Sequence, residues 1–133
     1  MLDHIFLTVA DLERSIAFYE KTLALSGLSM RSITMARMVR KAIRTLRVSD
    51  AATVCFSGCA RSPEPQTVHV GFVARSEKEV HPFYRAAMAA GASDNGEPGA
   101  RLHYDARYYA ANVLDPDGYS LEAVYKSWQH PQP

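Results

Sequence analysis

The chain has 133 residues, with 15 Lys and Arg against 14 Asp and Glu, and a net charge of +1. This length favours one domain over residues 1–133, because two halves of about 60 residues would each be marginally stable alone. The near-neutral charge argues against a dedicated nucleic-acid binder. The sequence shows neither a long apolar run nor an apolar leader, so we expect a cytoplasmic protein without membrane contact.

The first half begins with a pattern typical of a buried strand over residues 2–9, followed by a helix that ends near Leu23. Asp11 is a suitable N-cap. The apolar residues of this helix form one stripe at helical spacing: Leu12, Ile16, Tyr19 and Leu23. The clearest strand in the rest of this half is residues 53–56. Cys55 and Cys59 match no zinc or redox spacing, so we expect two reduced thiols.

A basic segment from Arg31 to Arg47 is harder to interpret, since it contains six Lys and Arg and no acidic residue. Its apolar spacing fits a helix, whereas comparison with the second half of the chain favours strands. We predict strands. The basic side chains either hold an anionic ligand or form a solvated face.

The second half opens with a predicted strand over residues 67–73 and a helix that ends before Gly91. Ser76 and Glu79 have the spacing of a capping box. Pro82 requires either that the helix begins near His81 or that it is kinked. A hairpin follows, with strands over residues 108–114 and 119–125 joined by the turn sequence DPDG at residues 115–118.

The two halves repeat each other at an offset of 65 residues. His4 and His69 each open an apolar run, and the same offset superposes Phe18-Tyr19 on Phe83-Tyr84. Such self-similarity indicates two related units that share a core. We place module 1 at about residues 1–60 and module 2 at about 66–126. A pseudo-twofold axis between the modules would bring the two histidines towards one point.

Glu122 is a carboxylate within an otherwise apolar strand. By strand alternation it shares a face with Ser120 and Val124, opposite Leu121 and Ala123. A buried carboxylate needs a cation or a strong hydrogen-bond donor. Together with His4 and His69 it forms a set of two histidines and one carboxylate, which suits divalent Fe, Mn, Ni, Co or Zn and leaves coordination positions open.

Three segments of the chain resemble the vicinal oxygen chelate superfamily, which includes glyoxalase I, bleomycin and fosfomycin resistance proteins and extradiol dioxygenases. The segments are LDHIFLTVADLERSIAFYEKTL, TVHVGFVA and YYAANVLDPDGYSLEAVY. The resemblance implies an α+β fold of two βαβββ modules whose curved mixed sheets enclose a metal-containing cavity, commonly in a homodimer. It also implies that His4, His69 and Glu122 take the metal-ligand positions.

One position departs from the pattern of a glyoxalase. The repeat offset relates Glu122 to Ser57, where a second carboxylate is expected, and residues 51–62 contain no Glu or Asp. Glu122 would then serve as metal ligand and catalytic base together. The departure weakens a glyoxalase assignment, and a lyase, an isomerase, a thiol transferase and a dioxygenase all stay possible.

The loop before the final hairpin supplies further candidates for substrate contact. His103, Tyr104, Asp105, Arg107 and Tyr108 cluster polar and aromatic groups beside the strand pair. The residues predicted to bind substrate are Ser57, His103, Tyr104, Arg107 and Tyr109.

The sequence favours a metal-dependent enzyme that chelates a small oxygenated substrate. The alternative is a metal-free binding or sequestering protein of the bleomycin-resistance type. We expect His81 and His130 on the surface, and Trp128 against a partner subunit or its own sheet.

Overall fold

The computed structural model describes residues 4–24, 32–38, 41–49, 52–58 and 68–130, with side chains described for residues 7–24 and 68–130. It is an α+β structure with two mixed sheets and two α-helices, which confirms the predicted fold class. Neither helix has the length and apolar character needed to cross a bilayer, within the ranges described.

The first half follows the order βαβββ. Its elements are β1 (His4–Val9), α1 (Leu12–Ala24), β2 (Ser32–Met38), β3 (Lys41–Ser49) and β4 (Ala52–Gly58). The sheet has the strand order β1-β4-β3-β2, with β1 parallel to β4 and the other pairs antiparallel. The prediction of strands in the basic segment is therefore confirmed. Pairing with β4 overrides the local helical spacing there, because cross-strand contacts decide strand formation more than intrinsic preference.

The second half has the same plan with one interruption. Its elements are β5 (His69–Val73), α2 (Glu77–Ala89), β6 (Ser93–Asp94), β7 (Gly99–Ala100), β8 (Tyr108–Leu114) and β9 (Ser120–Lys126), followed by a 3-10 helix (Ser127–Gln129). The sheet order is β5-β9-β8-β6, and β7 also pairs with β8. Two short strands thus occupy the edge that β2 holds in the first sheet. Both ends of α2 lie 65 residues after those of α1.

The start of α2 differs from the sequence prediction. Ser76 is the N-cap residue, but its hydroxyl makes no capping hydrogen bond. The Glu79 carboxylate instead accepts a hydrogen bond from the backbone N–H of Arg75 at 2.7 Å, so the predicted capping box is wrong. A start near His81 is wrong too, because the helix begins at Glu77 and contains Pro82. The loss of one backbone bond is tolerated, since the helix buries an apolar face that includes Val80 and Phe83.

One apolar core joins the two halves. Leu7, Val9 and the buried face of α1 belong to the same cluster as Phe72, Phe83 and the buried residues on one face of β8 and β9. The two helices contact each other, and α2 packs on β8 and β9. Helix α2 therefore covers one face of the second sheet, and α1 packs against α2.

The turn at residues 115–118 holds the final hairpin to α1 through two carboxylates. Asp117 accepts hydrogen bonds from the backbone N–H of Ala10, the Arg14 guanidinium and the Ser15 hydroxyl, at 2.7–2.9 Å. Asp115 accepts one from the Tyr19 hydroxyl at 2.8 Å. Burial raises the pKa of the Asp115 carboxyl and, with Asp115 beside it, raises the pKa of Tyr19.

Tyr119 extends this contact to β1. Its hydroxyl donates to the Thr8 carbonyl at 2.8 Å and accepts from the Thr8 N–H at 3.0 Å. The hairpin is thus bound to both β1 and α1.

Asp117→Ala should lower the free energy of unfolding by about 2–3 kcal/mol, because it removes a charged acceptor of three hydrogen bonds. Urea unfolding measures this. Asp105→Ala is the matched control: it breaks an exposed ion pair with Arg107 and should lower the free energy of unfolding much less. Equal losses in the two variants would contradict the role assigned to the turn.

Candidate functional site

Strand β9 presents Glu122 on the face of the sheet that the helices do not cover. Leu121 and Ala123 point into the shared core, as predicted from strand alternation. Glu122 lies on the opposite face and is nevertheless only 7% exposed. A buried carboxylate of this kind requires partners, and the neighbouring strands supply them.

Strand β5 brings His69 to this carboxylate. The parallel register sets Gly71 beside Glu122 and His69 beside Ser120. His69 Nε2 lies 3.3 Å from Glu122 Oε2, and His69 Nδ1 lies 2.9 Å from Ser120 Oγ. The neutral ring has two possible tautomers: in one, Nε2 donates to the Glu122 carboxylate and Nδ1 accepts from the Ser120 hydroxyl, and in the other, Nδ1 donates to Ser120 and Nε2 carries a lone pair. Gly71 has no side chain, which leaves the space over the carboxylate open.

Strand β8 supplies two more donors. The Tyr108 hydroxyl lies 3.1 Å from both Glu122 oxygens. Asn112 pairs with Glu122 across the antiparallel ladder. When the Asn112 amide is oriented so that its oxygen and its nitrogen both have suitable hydrogen-bond partners, Asn112 Nδ2 donates to Glu122 Oε1 at 3.3 Å. The carboxylate is thus held in one orientation from both adjacent strands.

The Tyr108 hydroxyl is a permanent donor at neutral pH. Burial, and then the negative charge of Glu122, raise the pKa of Tyr108 to about 12. The proton therefore stays on this hydroxyl under physiological conditions, and the hydroxyl donates to the Glu122 carboxylate throughout.

Two of the three predicted metal ligands meet at this site. His4 is the first residue of β1 and pairs with Thr53, but its side chain lies outside the described residues. Ser57 pairs with Thr8 in the backbone ladder, and its side chain is likewise outside them. Within the described part of the chain, no group of three or more His, Cys, Asp or Glu is placed to hold a metal ion. The third ligand and the role of Ser57 stay predictions.

The predicted substrate contacts separate into two groups. His103 and Tyr104 are exposed and contact each other, with ring centroids 4.1 Å apart, and Tyr104 lies 5.3 Å from the Tyr108 ring. Arg107 pairs with Asp105. Of these residues, Tyr104 and Asp105 line an open groove together with Tyr108.

Tyr109 is not part of this group. Adjacent residues of a strand point to opposite faces, so Tyr109 lies on the helix side of β8, where its hydroxyl contacts His81 Nε2 at 3.0 Å. The structure therefore brings Tyr108, and not Tyr109, to Glu122. His81 is exposed as expected, whereas His130 is half-buried and stacks on Tyr125.

The sequence analysis did not predict that Asn112 lies beside Glu122, that Lys126 lies near Tyr108, or that Tyr108 contacts Glu122. The hairpin sequence nevertheless contains the information needed to place these residues. The turn at residues 115–118 sets the hairpin register, which pairs Asn112 with Glu122 and Tyr108 with Lys126. Counting alternate residues along β8 from the partner of Glu122 identifies Tyr108 as a neighbour on the same face.

Comparisons with known proteins agree with this architecture. The family model described as "Glyoxalase/Bleomycin resistance protein/Dioxygenase superfamily" matches residues 1–123. A glyoxalase/bleomycin resistance protein from Albidiferax ferrireducens has 27% identity and a TM-score of 0.69, with 92% of this chain and 97% of that chain covered. No functionally curated protein matches the sequence significantly.

Two further solved structures share the fold at lower identity. The hypothetical protein SA1046 from S. aureus has 22% identity and a TM-score of 0.71, with 94% and 96% of the two chains covered. The fosfomycin resistance protein FosX from Listeria monocytogenes has 17% identity and a TM-score of 0.70, with 97% and 95% covered.

Glu122→Gln should lower the pKa of Tyr108 from about 12 towards its usual value of 10.0, because the substitution removes the neighbouring negative charge. Burial is the larger cause, so the pKa should stay above the usual value. NMR titration of labelled tyrosine measures it, with Tyr108→Phe to assign the signal. Ser120→Ala, which keeps Glu122, should leave the pKa of Tyr108 unchanged. The same Tyr108 pKa in Glu122→Gln as in the parent would contradict the contact.

Proposed function

The chain belongs to the glyoxalase/bleomycin resistance protein/dioxygenase superfamily, and on that premise we propose that it is a metal-dependent enzyme acting on a small oxygenated substrate. The observation that supports the proposal is the approach of His69 Nε2 to Glu122 Oε2 at 3.3 Å on the open face of the second sheet. The proposed ligands are His4, His69 and Glu122, and the proposed catalytic residue is Glu122.

The donor set fits a divalent ion on spacing and on chemistry. Two ligand atoms each about 2.0–2.2 Å from one ion, at angles between right and tetrahedral, lie about 2.8–3.6 Å apart. The observed distance of 3.3 Å falls in this range. The contact between His69 Nδ1 and Ser120 Oγ at 2.9 Å fixes the ring orientation, and with Nδ1 as the donor it leaves the Nε2 lone pair for a metal ion, as partners of metal-bound histidines commonly do.

The proposed chemistry divides between the ion and the protein. A bound Fe, Mn, Ni, Co or Zn ion supplies Lewis acidity to a pair of adjacent substrate oxygens. Glu122 accepts a proton from the substrate, and the Tyr108 hydroxyl and Asn112 amide hold the carboxylate in the orientation for that transfer. Tyr108 keeps its own proton, because its pKa of about 12 lies far above neutral pH.

A second candidate, a metal-free binding protein, is favoured by one feature of the same site. Glu122 already has hydrogen-bond partners in His69, Tyr108 and Asn112, so its burial is compensated without an ion. Such a protein would sequester a small molecule without turnover. Metal content distinguishes the two candidates.

The assembly belongs to the proposal as well. We expect one domain built of modules at about residues 1–60 and 66–126, and a homodimer, as in many members of this superfamily. Light scattering of the purified protein measures the oligomeric state.

The purified protein should carry about one divalent metal ion per chain when no chelator is used. His69→Ala should abolish tight metal binding with little loss of stability, because the His69 side chain is 47% exposed. Elemental analysis and urea unfolding measure the two effects. His81→Ala is the matched control, since His81 is also exposed but lies on α2. Unchanged metal content in His69→Ala would refute the proposed ligand set and favour the metal-free binder.

Glutathione-dependent turnover of methylglyoxal should be weak or absent with Ni, Co, Zn, Mn or Fe. The reason is that Ser57 stands where the repeat places a second carboxylate, so Glu122 must act as both ligand and base. Ser57→Glu is the variant expected to gain activity. Robust turnover by the parent protein with any of these metals would show that the argument from Ser57 fails.

A further inference from the structure

An open groove lies next to Tyr108, the residue whose hydroxyl contacts Glu122. It has a volume of about 360 Å³ and is lined by Tyr104, Asp105, Tyr108, Lys126 and Trp128. This volume is at the lower end of the range for small-molecule sites. Tyr108 connects the groove to the candidate site, because it lines the groove and its hydroxyl contacts the Glu122 carboxylate. A molecule in the groove is therefore separated from the candidate catalytic carboxylate by Tyr108 alone.

Aromatic rings on the walls of the groove are unusually exposed. Tyr104 is 68% exposed and Trp128 is 46% exposed, and both are large side chains with apolar faces. The Tyr104 and Tyr108 rings are 5.3 Å apart and tilted by 55°, so they form an angled wall. Exposed aromatic rings that flank an open groove are suited to contact a flat ring of a ligand.

The charge available in the groove is positive. Asp105 is neutralised by Arg107, with Nε to Oδ1 at 3.0 Å and Nη2 to Oδ2 at 3.2 Å, and Arg107 lowers the pKa of the Asp105 carboxyl. The Lys126 ammonium lies 5.1 Å from the centre of the Tyr108 ring. In the part of the chain that the structure describes, Lys126 has no carboxylate within ion-pair distance. The ammonium is thus available to an anionic group of a ligand.

We propose that this groove binds the anionic aromatic part of the substrate. Lys126 pairs with a carboxylate or similar anion of the ligand, and Tyr104 and Trp128 contact its ring. Tyr108 then separates the bound ring from Glu122, so the part of the molecule that extends past Tyr108 reaches His69 and Glu122. The reaction of the bound molecule at Glu122 rests on the proposed function. Its binding in the groove requires neither metal nor turnover.

Benzoate and its neutral analogue benzamide test the groove without knowledge of the natural substrate. Trp128 is the single tryptophan of the chain, so its fluorescence reports on the groove directly. Benzoate should shift or quench this fluorescence at lower concentration than benzamide. Lys126→Gln should weaken benzoate binding about 5-fold, the loss of a partly exposed ion pair, and leave benzamide binding unchanged. Lys78→Gln, an exposed lysine on α2, is the control and should bind benzoate as the parent does.

The outcomes separate this inference from the proposed function. Equal binding of benzoate and benzamide, or unchanged benzoate binding in Lys126→Gln, overturns the anionic aromatic assignment. The same holds if benzoate leaves the fluorescence unaffected, whether or not the protein holds metal. If benzoate binds as expected but the protein holds no metal, the groove is supported and the proposed enzymatic function is refuted.

Discussion

The turn at residues 115–118 is the constraint on which the rest of the structure depends. Its carboxylates, Asp115 and Asp117, accept hydrogen bonds from α1 and from the backbone just before it. These contacts attach the last hairpin to the first half of the chain. The same turn sets the register of β8 and β9, which places Asn112 opposite Glu122. A slip of one residue would send the donors of the site to the helix side. Stability and site geometry therefore depend on the same four residues.

Glu122 illustrates how a structural requirement and a functional one coincide. A carboxylate that is 7% exposed is costly unless donors surround it, and β5 and β8 supply donors from both sides. These contacts also hold the carboxylate at a set distance from His69 Nε2, an arrangement suited to binding an ion or accepting a proton. The exposed side of His69 provides access from solvent. The same contacts thus compensate the burial of the Glu122 carboxylate and position it for the chemistry that we propose.

The difference between the two halves is as informative as their similarity. In the first sheet the edge beyond β3 is one strand, β2, whereas in the second sheet the short strands β6 and β7 share that edge of β8. The chain between β7 and β8 then forms a loop that carries Tyr104, Asp105 and Arg107. This loop and the end of β9 form the walls of the groove next to Tyr108. The interrupted edge strand in the second half therefore leaves room for the loop that contributes to the groove.

The sequence by itself determined the elements that depend on local interactions. Periodic apolar residues and the Asp11 cap predict α1, the DPDG turn predicts the hairpin, and alternation assigns the face of Glu122. Tertiary structure decided what depends on distant partners: strand pairing over residues 32–38 and 41–49, a helix that continues through Pro82, and the placement of Tyr108, rather than Tyr109, beside Glu122. The physical reason is that caps, turns and periodicity act within a few residues. Strand pairing and the donors of a buried carboxylate come from segments far apart in the chain, and only the folded register brings them together.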